Sequence, residues 1–216
     1  MGLVRGLTTH PIQQTLSTFL ISSLLPQTTG SETITPLTNS MASKGYPSTA
    51  SGGCLCGSVR YKVTFPTNHD WKRGVNITYS SHTHSPANAL LKCSTCQCSQ
   101  CRKNGGSLIA WLHKVPASSV AFTSQTTLSR YHATPDAARG FCTKCGSWLF
   151  WRSEASNSMS MSVGTFDKEE LKQWGQRLSY SEVHLWSEDA IEGISDHLPG
   201  EKWKYDDEGE GAERIG

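Results

Sequence analysis

Seven of the chain's eight cysteines fall into three tight groups: Cys54-Leu55-Cys56-Gly57, Cys96-Gln97-Cys98-Ser99-Gln100-Cys101 and Cys142-Thr143-Lys144-Cys145-Gly146. Thiols two or three residues apart are poorly placed to bridge one another and well placed to share a metal. A disulfide scaffold through all eight is the alternative for a secreted chain. The first and third groups each offer two thiolates. Together they would fill the tetrahedral shell of a zinc ion at about 2.3 Å, leaving no position for a substrate, so that set is expected to be structural. It joins residues nearly ninety positions apart, and would clamp the start of a domain to its end and contribute folding energy directly. The glycine after each pair, Gly57 and Gly146, suits a tight turn.

The middle group supplies three thiolates within six residues, Cys96, Cys98 and Cys101. Three protein ligands and one exchangeable position is the arrangement of catalytic zinc. An incoming thiol in that position would lose its proton and become the species that attacks a carbonyl. Cys93, three residues upstream, either completes a fourth ligand and closes this site or stands free in an irregular segment. Arg102 and Lys103 follow the trio and are candidates for holding a substrate carboxylate, with a solvated turn as the plainer reading. His113, His132 and His184 are candidate proton carriers, although lone histidines in a strand-rich domain are more often structural. Trp148, Phe150 and Trp151 are read as packing around the four-cysteine site.

These groups need a scaffold, and the pattern around them is that of short strands. From Ser58 to Phe65 apolar Val59, Tyr61, Val63 and Phe65 alternate with Arg60, Lys62 and Thr64, which predicts a strand. Further strand-like runs lie at 108–113, 120–123, 128–132, 148–152 and 159–164, separated by Pro, Gly, Ser and Asn. The fold class expected is all-β, mainly antiparallel short strands with one short helix. That helix follows Asp167, where Asp167 and Glu170 can form a capping box and Leu171, Trp174 and Leu178 share a face.

The remainder reads as flanking or inserted sequence. Residues 1–51 are a disordered or targeting extension, rich in Ser and Thr and with no acidic residue before Glu32; Met41 is an alternative start. The apolar run 16–25 is far shorter than the roughly 20 residues of a membrane span. Residues 52–204 form the zinc domain, with an irregular insertion at about 66–92. Residues 205–216 are an acidic tail too poor in apolar side chains to offset ordering entropy. The net charge is only +2, with Lys and Arg scattered, so neither nucleic acid nor an anionic membrane is expected as a partner. Thiol ligands must stay reduced, which favours a cytoplasmic setting, or mitochondrial if the extension is a presequence. Oligomeric state is not legible.

The motifs Gly53-Cys54-Leu55-Cys56-Gly57-Ser58-Val59-Arg60-Tyr61, Cys96 to Lys103, Gly140-Phe141-Cys142-Thr143-Lys144-Cys145-Gly146-Ser147 and Val163-Gly164-Thr165-Phe166-Asp167 resemble, in the same order, those of the glutathione-dependent formaldehyde-activating enzymes and centromere protein V. The resemblance covers roughly residues 52–200. It implies a zinc-held β-tent fold with two zincs per chain, one on Cys54, Cys56, Cys142 and Cys145 and one on Cys96, Cys98 and Cys101. It also implies a carbon–sulfur lyase that adds a small thiol such as glutathione to an aldehyde such as formaldehyde, or the reverse. A non-catalytic protein-interaction module of the centromere protein V type is the alternative. The sequence departs from the pattern in the long 66–92 stretch and in lacking the usual tryptophan downstream of Glu182-Val183-His184-Leu185-Trp186.

Overall fold

The computed structural model describes residues 45–69, 71 and 93–216, all within one compact unit, Ser43–Gly216. The expectations for residues 1–44 and for most of the 66–92 insertion lie outside the described residues. Among the described residues, eleven strands and two α-helices follow in the order β1 (Thr49–Gly53), β2 (Val59–Thr64), β3 (Cys93–Cys96), α1 (Ser99–Gly105), β4 (Ala110–Pro116), β5 (Val120–Gln125), β6 (Leu128–Thr134), β7 (Ala137–Cys142), β8 (Trp148–Ser153), β9 (Ser158–Ser162), α2 (Lys168–Leu178), β10 (Val183–Leu185) and β11 (Glu201–Lys202). The fold is all-β in character and mainly antiparallel, as expected, with β10 running parallel to both β3 and β11. It carries two helices where one was expected. β1 starts at Thr49, so the folded chain reaches into the segment assigned to the N-terminal extension.

Two sheets make the body. The smaller has the order β1-β2-β5 and the larger β11-β10-β3-β4-β9-β8-β7-β6. The strict alternation in β2 sets their relation: Val59, Tyr61, Val63 and, just beyond the strand, Phe65 are all buried. They join Val115 of β4, Leu149 and Phe150 of β8 and Met159 and Met161 of β9 in one core between the sheets. Tyr61 is anchored there by its hydroxyl, 2.8 Å from Thr165 Oγ1, and by edge contacts with Phe122 and Phe166. In β9, Ser-Met-Ser-Met-Ser sends both methionines to the core and the serines to the other face. That second face of the large sheet is where the chemistry lies.

α2 forms where expected, but not through a capping box. Asp167 is the N-cap residue and makes no side-chain cap. Its carboxylate instead receives two hydrogen bonds from the Arg60 guanidinium (2.8 and 2.5 Å), while Glu170 accepts from the Ser51 amide at 3.0 Å. Both carboxylates are thus drawn into ties with β1 and β2, which dock the helix N-terminus on the small sheet. The tail, for which no stable structure was expected, turns back on itself: Ile215 N–H donates to Lys202 O at 2.8 Å and Lys204 N–H to Glu213 O at 2.8 Å. Backbone pairing supplies here what apolar burial does not.

Candidate metal centre and cavity

The four-cysteine site assembles from two similar turns. Cys54 N–H donates to Val59 O (3.0 Å) and Cys142 N–H to Ser147 O (3.0 Å), closing a loop of the same length in each. Gly57 and Gly146 sit at positive φ, 76° and 74°, a conformation that side-chain-bearing residues rarely adopt. The turns are joined directly, Leu55 N–H donating to Ser147 Oγ at 3.0 Å. As a result Cys54 Sγ is 3.5 Å from Cys56 Sγ, and Cys56 Sγ is 3.8 Å from Cys142 Sγ. All four sulfurs, with Cys145, lie within 4.8 Å of one another. The surroundings act unevenly: the Ser147 hydroxyl and amide hold Cys145 down to about 5, the Thr127 hydroxyl, 3.1 Å away, lowers Cys142, and burial pushes Cys54 up. This all-sulfur tetrad can hold a metal ion, and sulfur donors in fours suit zinc.

The trio assembles across one strand end and one helix start. Cys96 ends β3; Cys98 is the N-cap of α1, its sulfur accepting from the Cys101 amide at 3.3 Å. One turn of helix then brings Cys101 round to the same side. All three are buried, and their sulfurs lie within 4.8 Å of one another. Contact with the Cys101 and Cys96 thiols holds Cys98 down to about 2, while the same contacts push Cys96 up. Three sulfurs in this arrangement can also hold a metal ion.

Cys93 stands apart from the trio. It lies in the same strand as Cys96 but three residues away, and side chains an odd number apart project from opposite faces. Cys93 accordingly packs in the inter-sheet core, where burial pushes its thiol well up, and Cys96 packs with Cys98, Cys101, Leu112 and Trp148.

Above the trio is a cavity of about 500 Å³. Its floor is the outer face of the large sheet, read off strand by strand at alternating positions: Ser94 and Cys96 on β3, Lys114 on β4, Ser158 and Ser160 on β9, Trp151 and Ser153 on β8, Ala137 and Arg139 on β7. Leu185 and Trp186 form one wall, and Asp206, Asp207 and Glu208 of the tail form another. Trp186 has φ 58°, a positive value that is rare for so bulky a residue, and its amide donates to Tyr205 O at 2.9 Å.

The accessory candidates distribute differently from expectation. Arg102 and Lys103 do not line the cavity: the Arg102 guanidinium donates to Asp189 O, and Lys103 is exposed in the last turn of α1. The helical rotation that aligns Cys101 with Cys98 carries the next two side chains away. The cations at the cavity are Lys114 and Arg139, which no sequence motif singled out. Strand parity accounts for Arg139, which sits three residues from Cys142 and so on the opposite face of β7, a relation visible only once β7 is known to be a strand.

Trp148 and Trp151 pack on the trio rather than around the four-cysteine site, whereas Phe150 lies in the core with Cys54 and Cys142. A register irregularity between β7 and β8, where Gly140 faces Phe150 but Phe141 faces Trp148, interrupts the alternation and turns Trp148 outward. The three histidines stand elsewhere. His113 is buried between His69 Nε2 and Leu178 O, each 2.9 Å away; His184 lies between Thr95 Oγ1 and Pro199 O; His132 meets Glu154 at the surface. None of them lines the cavity.

The family model for the glutathione-dependent formaldehyde-activating enzyme matches residues 75–189, more than half of the chain. The chain belongs to this family. The matched segment includes the trio, Cys142 and Cys145, while Cys54 and Cys56 precede it and join through the fold. Among solved structures, a crystal structure of a Rhodobacter sphaeroides protein is 18% identical, with a TM-score of 0.39 over 62% of this chain and 97% of that one. No curated protein matches the chain.

Proposed function

We propose that this protein is a zinc-dependent carbon–sulfur lyase that joins a small thiol to an aldehyde, or releases it, in the cavity over Cys96, Cys98 and Cys101. The observation that carries this is the contrast between a tetrad of cysteines and a buried trio that opens on a 500 Å³ cavity. Zinc held by the trio would keep a coordinating thiol deprotonated and polarise a carbonyl oxygen. In the joining direction the S–H bond breaks and sulfur bonds to the carbonyl carbon. The π pair moves to oxygen, which takes up a proton, giving an S-hydroxymethyl thioether. No oxidant or reductant is consumed.

The chain's own contribution is enclosure and orientation. Trp151, Leu185 and Trp186 give the cavity apolar walls that limit water near the sulfur. The serine row of the floor offers hydroxyls that can hydrogen-bond the carbonyl oxygen and its hydroxyl product. A tetrad zinc on Cys54, Cys56, Cys142 and Cys145 would hold the two turns together and take no part in the reaction.

Glutathione and formaldehyde are the first substrates to test, with the S-hydroxymethyl adduct measured by proton NMR and its rate compared with that of the uncatalysed addition. Acceleration that is abolished by Cys98→Ser is the expected result. Equal rates with wild type and with Cys98→Ser would favour the reading of a non-catalytic module.

A further inference from the structure

Arg139 is only 4% exposed, yet its Nε and Nη1 have no hydrogen-bond partner among the described residues; Nη2 alone is engaged, donating to Gln100 Oε1 at 2.7 Å. A buried guanidinium with two idle donors is costly unless something anionic meets it; the Cys101 sulfur interacts with its charge but accepts no hydrogen bond from Nε or Nη1. Its side of β7 faces the cavity over the cysteine trio. Lys114 lies on the same face three strands away, since β9 and β8 separate β4 from β7. At about 4.8 Å per strand the two cations are rooted roughly 14 Å apart across the floor. At the Lys114 end a carboxylate is already seated: both oxygens of Glu208, from the tail, accept from Lys114 Nζ at 3.1 Å.

We infer that Arg139 and Lys114 are the two anion contacts that select the thiol, so that the cavity takes an extended thiol with a carboxylate near each end, and that Glu208 occupies the Lys114 position until such a ligand displaces it. This deepens the proposed function and rests on it for the placement of the sulfur, but the anion subsites themselves do not. Arg139 is suited to the enclosed end because its planar fork can take a carboxylate through two donors at once. Lys114, with a rival carboxylate on a surface tail, is suited to exchange.

The experiment uses the full chain and two probes. S-methylglutathione carries both carboxylates but cannot furnish a thiolate, and its binding is measured by calorimetry. 2-Mercaptoethanol furnishes a thiolate without a carboxylate, and its binding is read from the sulfur-to-metal absorption band of the cobalt-substituted protein. Wild type is expected to bind S-methylglutathione, and R139Q and K114M each to weaken that binding about tenfold or more, the size of a lost charge-assisted hydrogen bond. Both variants are expected to keep the wild-type response to 2-mercaptoethanol. If R139Q fails to fold, K114M, on the more open side of the cavity, decides alone. Wild type that does not bind S-methylglutathione, or variants that bind it as wild type does, would overturn the anion subsites. Variant-sensitive binding of S-methylglutathione with no thiol response at the metal would leave the subsites standing and remove the thiol-at-metal reading.

Discussion

The two cysteine sets differ by one sulfur, and the residue-scale consequences differ in kind. If the trio holds a zinc as proposed, Cys98→Ser is expected to lose about one zinc and keep a native circular dichroism spectrum. If the tetrad holds a second zinc that ties its two distant turns, Cys54→Ser or Cys145→Ser is expected to lose the cooperative unfolding transition with the metal. Zinc content measured alongside thermal denaturation separates these outcomes, and equal unfolding by all three variants would contradict the division. The buried histidines give a second residue-scale expectation. Burial holds His113 down to about 3 and His69 to about 4, both below the ordinary value of 6.5. Below pH 6.5 the unfolded chain therefore binds protons that the folded chain does not, and stability falls as pH drops from about 6.5 towards 4, by at most about 1.4 kcal/mol per pH unit for each histidine. Its full contribution is present above pH 6.5. His113→Gln should flatten the fall in melting temperature between pH 6.5 and 5 relative to wild type, and an unchanged slope would show that these histidines do not set it.

At the scale of the element, strand parity decides which residues meet. The alternation of Val59, Tyr61, Val63 and Phe65 was readable in the sequence because β2 has one buried and one more exposed face. β3 and β7 were not readable: their residues are buried on both faces almost throughout, so Cys93–Cys96 and Ala137–Cys142 show no period of two. That loss also hid why Cys93 and Cys96 part company and why Arg139 faces the cavity. α1 was missed because its seven residues carry ligand spacing rather than an apolar stripe. The tie between β7 and β8 depends on Gly140, where an added Cβ would lie 2.2 Å from the Phe150 ring. Gly140→Ala is expected to destabilise the protein by about 1–3 kcal/mol through overpacking, seen as a lower urea midpoint with an unchanged slope. A variant as stable as wild type would show that the ring moves aside freely.

Across the whole molecule, the large sheet separates two chemistries. One face shares a dry core with the small sheet, and the other carries the cysteine trio, a row of serines and two cations under a cavity. The three cysteine groups were legible from spacing, but spacing left Cys93 open as a fourth member of the middle group, and only the fold separates it from the trio. The cavity's polar lining was not legible, since it is contributed by single residues from strands far apart in the chain. If the division is right, the metals should also leave separately. A chelator is expected to extract zinc in two stages, the first without loss of circular dichroism and the second with unfolding. Single-stage loss coincident with unfolding would mean that both sets hold the fold.

The most direct measurement is zinc-edge X-ray absorption on the protein loaded with zinc, with and without glutathione. One site of four sulfurs and one of three predict an average near 3.5 sulfurs per zinc, with the remainder a light atom, rising towards four when the thiol is added. An average of four before any thiol is present, or no change after it, would contradict the open site on which the function rests.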